Sequence, residues 1–218
     1  MKKNGKNAVI IVAAGLGLRA GGDQPKQWQK ILGKTLTDWT LSKFITHPRI
    51  HTIILVVDDK KQVSHLRDNV VLELGGSDRS TSVRNGLSAV PKDITKVLIH
   101  DVARPCVSHE LINSIINGLD EHDAVIPILN LSDALWEVKD NLLLKPCNRE
   151  DFVLAQTPQG FDMEKISKAY ALNTNTQYDD AAVAVNAGLS VVFIEGDRTN
   201  IKLTFPSDFN LARNLLGG

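Results

Sequence analysis

Ala8-Val9-Ile10-Ile11-Val12-Ala13-Ala14-Gly15-Leu16-Gly17-Leu18-Arg19 sets the fold of this chain, because an apolar β-rich run passes directly into a glycine-rich turn. Pro25-Lys26 follows closely, so the end of a predicted strand carries two fixed cations, Arg19 and Lys26. Glycines let a backbone approach a ligand at dihedrals other residues resist. Exposed N–H groups and two cations can then neutralise several anionic oxygens at once. The combination reads as a triphosphate cradle. On this segment alone, an ordinary strand-to-helix turn with solvated charges is the alternative.

Gly15-x-Gly17-x-x-Ala20 also satisfies a permissive dinucleotide-binding pattern. Its context argues against that use. Such a turn runs straight into a helix and meets an acidic residue about 20 positions later, at the end of a second strand. Here Gly21-Gly22-Asp23-Gln24-Pro25 interrupts the helix, and Asp38 falls inside the helix-like segment Leu36 to Phe44.

Of the 218 residues, 43% are apolar and 23% charged, with 25 basic and 25 acidic side chains balancing to zero. A chain of this length can bury well over half of its unfolded surface without a staple, which fits one domain over residues 1–218. Zero net charge gives no electrostatic argument for a nucleic-acid or membrane partner, so any positive potential must be local. Cys106 and Cys147 lack paired-ligand spacing and read as small apolar residues of a reduced, cytoplasmic protein with no zinc site. The apolar run behind the basic N-terminus is too short to span a membrane.

Further β-rich runs at Thr52–Val57, Val70–Leu74, Val97–Ile99, Ala124–Ile128 and Val191–Ile194 are separated by amphipathic stretches of helical period. Leu36, Trp39, Thr40 and Phe44, then Leu111, Ile112, Ile115, Ile116 and Leu119, share one helical face each, as covering a parallel sheet requires. The expected fold class is α/β: a three-layer sandwich around a doubly wound, mostly parallel sheet. Such sheets bind ligands beyond the carboxyl ends of their strands. Gly15 to Lys26, Gly75-Gly76-Ser77-Asp78-Arg79 and Asp101 all fall there, so three loops should converge on one cleft. Asp101 ends a buried strand, where a carboxylate can hold Mg²⁺ against phosphates or simply make a turn. His100, on the opposite face of that strand, reads as packing. Spacing leaves Arg104 open between a solvated cation and an anion contact.

AAGLGLR (Ala13–Arg19), PKQ (Pro25–Gln27), GGSDRSTSVRNGL (Gly75–Leu87), HDVARP (His100–Pro105), TPQGF (Thr157–Phe161), DDAA (Asp179–Ala182) and EGDRTNIKLT (Glu195–Thr204) together resemble the 2-C-methyl-D-erythritol 4-phosphate cytidylyltransferase family. The resemblance runs through nearly the whole chain in the family's order. It implies a nucleotidyltransferase Rossmann-like fold and attack of the methylerythritol phosphate oxygen on the α-phosphorus of CTP, releasing pyrophosphate. By the same resemblance Arg19, Lys26, Lys202 and Asp101 are catalytic, and Asp101 binds Mg²⁺. Ala13, Ala14, Gly15, Gly17, Gly76, Ser77, Arg79, Ser82 and Val102 would bind the nucleotide, with Ser82 also readable as a first-turn helix residue. Arg104, Arg149, Thr157 and Asp179 would face the polyol phosphate, Arg149 as a fork. Residues 131–154, with alternating Leu135, Val138, Leu142 and Leu144, resemble the family's dimerisation β-arm, which implies a homodimer.

Three places depart from the family's common pattern. Asp133-Ala134-Leu135-Trp136 stands where a hydroxyl and a cation are usual, Cys147-Asn148-Arg149 replaces Val-Asp-Arg, and Tyr178-Asp179 replaces Thr-Asp. The nucleotide side is intact and the polyol phosphate side is altered. A cytidylyltransferase for another polyol phosphate, such as ribitol 5-phosphate, and a non-catalytic CTP-binding subunit therefore stay open. Bifunctional relatives, in which a cyclodiphosphate synthase follows this domain, also end it near a Leu-Leu-Gly sequence like Leu215-Leu216-Gly217.

Overall fold

The computed structural model describes residues 5–15, 24–63, 67–172 and 179–217. The opening apolar run is β1 (Lys6–Val12), in which Ala8, Val9, Ile10 and Ile11 are fully buried. A strand that is aliphatic on both faces needs cover on both. β1 lies parallel between β4 (Thr52–Val57) and β6 (Ile94–Asp101), and β5 (Val70–Leu74) extends the sheet beyond β4. The other half is built from β7 (Ala124–Asn130), β10 (Val153–Ala155), β11 (Gln159–Asp162) and β12 (Val191–Glu195). The order is β10-β7-β11-β6-β1-β4-β5, with β12 joined in parallel to β7.

Alternation along the strands sorts side chains into two cores. Val9, Ile11, Ile53, Leu55 and Leu98 pack on one face with α1 (Leu36–Ile45) and α3 (His109–Gly118), through Leu41, Phe44, Ile112, Ile115 and Ile116. Ile10, Ile54, Val56, Val97 and Ile99 pack on the other with α2 (Arg79–Ser88), α4 (Met163–Leu172) and α5 (Asp180–Asn186). Each of four helices starts on a side chain that accepts a backbone N–H: Thr35 for α1 in a reciprocal box with Asp38, Asp78 for α2, Ser108 for α3 and Asp179 for α5. The three-layer, doubly wound sandwich is the one the periodicity implies. A smaller third cluster sets α6 (Pro206–Gly217) against Ile31, Leu36 and Leu203, beside the short hairpin of β2 (Lys30–Ile31) and β3 (Lys34–Thr35).

The sheet departs from simple alternation of strand and helix at β11, which is antiparallel to both β6 and β7. Gln159-Gly160-Phe161-Asp162 has no β-branched run to announce a strand. Gly160 is required there by packing, since a Cβ would stand 2.3 Å from Ile115 Cγ2 on α3.

Within residues 131–154, β8 (Leu135–Lys139) and β9 (Leu142–Cys147) form an antiparallel hairpin. Asp140 and Asn141 turn it with φ of 49° and 64°, both left-handed, as a two-residue loop matched to strand twist requires. Val138, Leu142, Leu143 and Leu144 remain exposed.

Candidate active site

Three loops meet beyond the carboxyl ends of β1, β5 and β6 around a cavity of about 380 Å³, lined by residues that include Ala14, Gly15, Lys26, Gly76, Arg79, Ser82, Asp101 and Lys202. Close backbone approach forms its wall. A Cβ on Gly75 would fall 2.3 Å from that of Ala14, so only glycine lets the two loops touch. Gly75 N–H continues the sheet to Val57 O at 2.8 Å, and Gly76 N–H donates to Ser82 Oγ at 3.0 Å. Ser82 Oγ in turn donates to Asp78 O, so this hydroxyl braces the loop into α2.

Asp101 sits on the floor between two cations. Arg79 Nε donates to its Oδ1 at 3.2 Å and Lys202 Nζ to its Oδ2 at 2.7 Å. Burial pushes the Asp101 carboxyl up, but Arg79 and then Lys202 outweigh it and hold the pKa well below the usual carboxylate range. An ionised oxygen ligand therefore faces the cavity. Lys26 Nζ donates to Leu203 O at 3.0 Å, which sets it beside Lys202. The loop carrying Lys202 is stitched to the turn after β6: Leu203 N–H donates to Ala103 O at 2.8 Å, and Arg104 Nη1 to Asn200 O at 2.7 Å.

Behind Asp101 lies a neutral relay. Asp101 N–H donates to Thr157 Oγ1, which pairs with His100 Nδ1, while His100 Nε2 reaches Arg104 O at 3.0 Å. A carbonyl can only accept, so Nε2 carries the proton and Nδ1 accepts from the threonine hydroxyl. His100 packs edge-on to Phe44, as expected, and in addition fixes Thr157.

Burial lowers the His100 pKa to about 3, and burial lowers that of His47 as well. His100 is neutral in the fold and gains a proton on unfolding below about pH 6.5, and His47 is shifted in the same direction. Because their folded values lie below the unfolded one, the stability they contribute is complete above about pH 6.5 and lost as pH falls through the acid range. Each bound proton steepens the loss by about 1.4 kcal/mol per pH unit. Urea midpoints should therefore fall between pH 7 and pH 5; a flat profile contradicts the assignment.

The structure brings Lys26, Asp101, Lys202, Ala14, Gly15, Gly76, Ser77, Arg79, Ser82 and Val102 together around the cavity, with Ala13 buried just beneath. Gly17 and Arg19, like Tyr178, lie outside the described residues. Arg104, Arg149, Thr157 and Asp179 do not line the cavity. Arg104 and Thr157 are committed to the braces above. Asp179 caps α5 and accepts from Gln159, and Arg149, on the exposed arm, donates to Ser132 O. Asp180 escaped sequence reasoning: fully buried, it accepts both terminal nitrogens of Arg79. Its one signal was the acidic pair opening a helix.

The model of the 2-C-methyl-D-erythritol 4-phosphate cytidylyltransferase (IspD) family matches residues 7–217. A bifunctional enzyme IspD/IspF of Ruegeria pomeroyi is 42% identical over 212 residues, 96% of this chain and 56% of that one. The chain thus spans about half the length of the bifunctional relatives it matches. A 2-C-methyl-D-erythritol 4-phosphate cytidylyltransferase of Cereibacter sphaeroides is 40% identical over 216 residues, 96% of each chain. The crystal structure of the Francisella tularensis protein of that name superposes with a TM-score of 0.84 at 30% identity, covering 96% of this chain and 99% of that one. With its cavity at the predicted strand ends and its length matched from residue 7 to 217, the chain belongs to the 2-C-methyl-D-erythritol 4-phosphate cytidylyltransferase family.

Proposed function

We propose that this chain joins CTP to 2-C-methyl-D-erythritol 4-phosphate, giving 4-diphosphocytidyl-2-C-methyl-D-erythritol and pyrophosphate. The observation that carries the reading is ionised Asp101 flanked by Arg79 and Lys202 on the floor of a cavity that Lys26 also lines. In the reaction a phosphate oxygen of the polyol phosphate bonds to the α-phosphorus of CTP. The bond to the bridging oxygen breaks, and its electron pair leaves with pyrophosphate. No side chain need be consumed, so the protein's contribution is alignment and charge stabilisation. In this reading Lys202 would stabilise the α-phosphate, Lys26 would hold the leaving phosphates, and the main chain at Gly15 and Gly76 would close on the nucleotide.

Among the described residues no group of three or more His, Cys, Asp and Glu gathers to hold a metal. A single buried, ionised carboxylate beside a triphosphate site suits Mg²⁺, which keeps several waters and binds through one or two carboxylates plus substrate phosphates. Asp101 would hold it, and the ion would screen the phosphates as a Lewis acid.

The exposed apolar arm supports a homodimer with shared sites in which Arg149 serves the polyol phosphate, while Arg104 and Thr157 act by bracing the cavity from behind and Asp179 by capping α5. Unpaired Cys106 and Cys147 support a reducing, cytoplasmic setting. No described helix is long and apolar enough to cross a membrane.

Pyrophosphate release measured across four nucleoside triphosphates and a panel of sugar-alcohol phosphates tests the reading. CTP with 2-C-methyl-D-erythritol 4-phosphate and Mg²⁺ should give the highest turnover, and excess chelator should abolish it. Equal rates with ATP or UTP, preference for ribitol 5-phosphate, or CTP binding without turnover would each overturn it.

A further inference from the structure

Arg79 is gripped from two sides. Its Nη1 and Nη2 donate to Asp180 Oδ1 and Oδ2 at 3.0 and 2.6 Å, while Nε alone turns to Asp101 Oδ1. The Asp180 side chain is 0% exposed and lines no part of the cavity, whereas that of Arg79 is 28% exposed on its wall. Behind Asp180, the hydroxyl of buried Tyr170 donates to Oδ1. A carboxylate that accepts both ends of a guanidinium fixes its plane as well as its position.

Stability is a weak reason for such a pair, because a buried ion pair commonly does no better than apolar side chains of equal volume. The geometry gives a stronger one. Lys202 already holds one oxygen of Asp101. Arg79 Nε holds the other, so each oxygen has one cation and one further acceptor position; if the Arg79 fork closed on the same carboxylate, its terminal nitrogens would take up those positions as well. With Asp180 engaging the fork, Arg79 gives Asp101 only its Nε contact.

We infer that Asp180 is a positioning residue: it anchors Arg79 as a cavity wall and so keeps the remaining acceptor positions of Asp101 available to the reacting triphosphate. The inference rests on the nucleotide reading proposed above. Asp180 acts wholly through Arg79, and without its charge the guanidinium swings onto Asp101 or onto the substrate phosphates.

Asp180→Asn, which keeps size while removing charge, tests this alongside Arg79→Met and the double variant. The readouts are kcat, CTP affinity by calorimetry and thermal melts. Asp180→Asn should lower kcat by about tenfold or more while CTP affinity changes by less than about threefold, and the double variant should be no slower than Arg79→Met alone. Normal kcat per folded molecule with a lowered melting temperature, or losses that simply add, would make Asp180 structural and overturn the inference. Should Asp180→Asn fail to fold, Arg79→Met/Asp180→Leu removes both charges at similar bulk. It should fold and turn over like Arg79→Met, and a wild-type rate there overturns the inference. If the wild-type chain neither binds CTP nor releases pyrophosphate, the proposed function fails and takes the inference with it. Normal wild-type turnover with an unaffected Asp180→Asn sinks the inference alone.

Discussion

Asp101→Asn should lower turnover by about a thousandfold while the chain stays folded. The substitution keeps the volume at the end of β6 and leaves the backbone N–H that donates to Thr157 Oγ1 in place. Arg79 retains its bidentate partner in Asp180, and Lys202, whose side chain is 44% exposed, can turn to water. Buried Arg104 loses the attraction of Asp101 but keeps its hydrogen bond to Asn200 O, so the chain should be somewhat destabilised yet still fold. What disappears is the ionised carboxylate that Arg79 and Lys202 hold on the cavity floor. Steady-state pyrophosphate release, with circular dichroism to confirm folding, checks the result. Turnover within about tenfold of wild type would remove Asp101 from the chemistry.

Lys26→Ala and Lys202→Ala should each cost about a hundredfold or more in kcat. Lys26 is tied to Leu203 O and Lys202 to Asp101, and both line the cavity. Each removes a cation directed at negative charge that spreads over the phosphates as the bond to pyrophosphate breaks. Arginine at either position should restore little, because a planar fork on a longer arm cannot replace a compact point charge at the same spot. Near-normal rates from two folded alanine variants would show that the lysines only hold their loops together.

Most of the cavity lining was legible because its signals are local. The runs Thr52–Val57 and Val70–Leu74 coincide with strands, and a doubly wound sheet brings the ends of β1, β5 and β6 into one place whatever their separation in sequence. Arg104, Arg149, Thr157 and Asp179 were less legible, because the structure places them outside the cavity and sets two of them against distant partners. Thr157 supports Asp101 from 56 positions away, and Arg104 braces a loop 96 positions on. Asp179 and Asp180 show the limit at finer scale. Two identical neighbours open α5, yet one turns to the Ala182 N–H as a cap and the other turns inward to Arg79. Helix phase relative to α2 decides between them, and composition carries no trace of it.

The strand that composition failed to announce governs how the molecule must be assembled as it leaves the ribosome. β11 is the only link across the middle of the sheet among the described strands, pairing with β6 on one edge and β7 on the other. Until residues 159–162 have been synthesised, β6 and β7 each present an unpaired row of N–H and C=O groups along an apolar strand, a template for pairing with other chains. Thr157 arrives with the same segment, and with it the support behind Asp101. A nascent or truncated chain lacking this segment therefore has both a sticky seam and an unbraced floor, and the strand that closes the seam brings in the brace behind Asp101 before Asp180 and Lys202 follow.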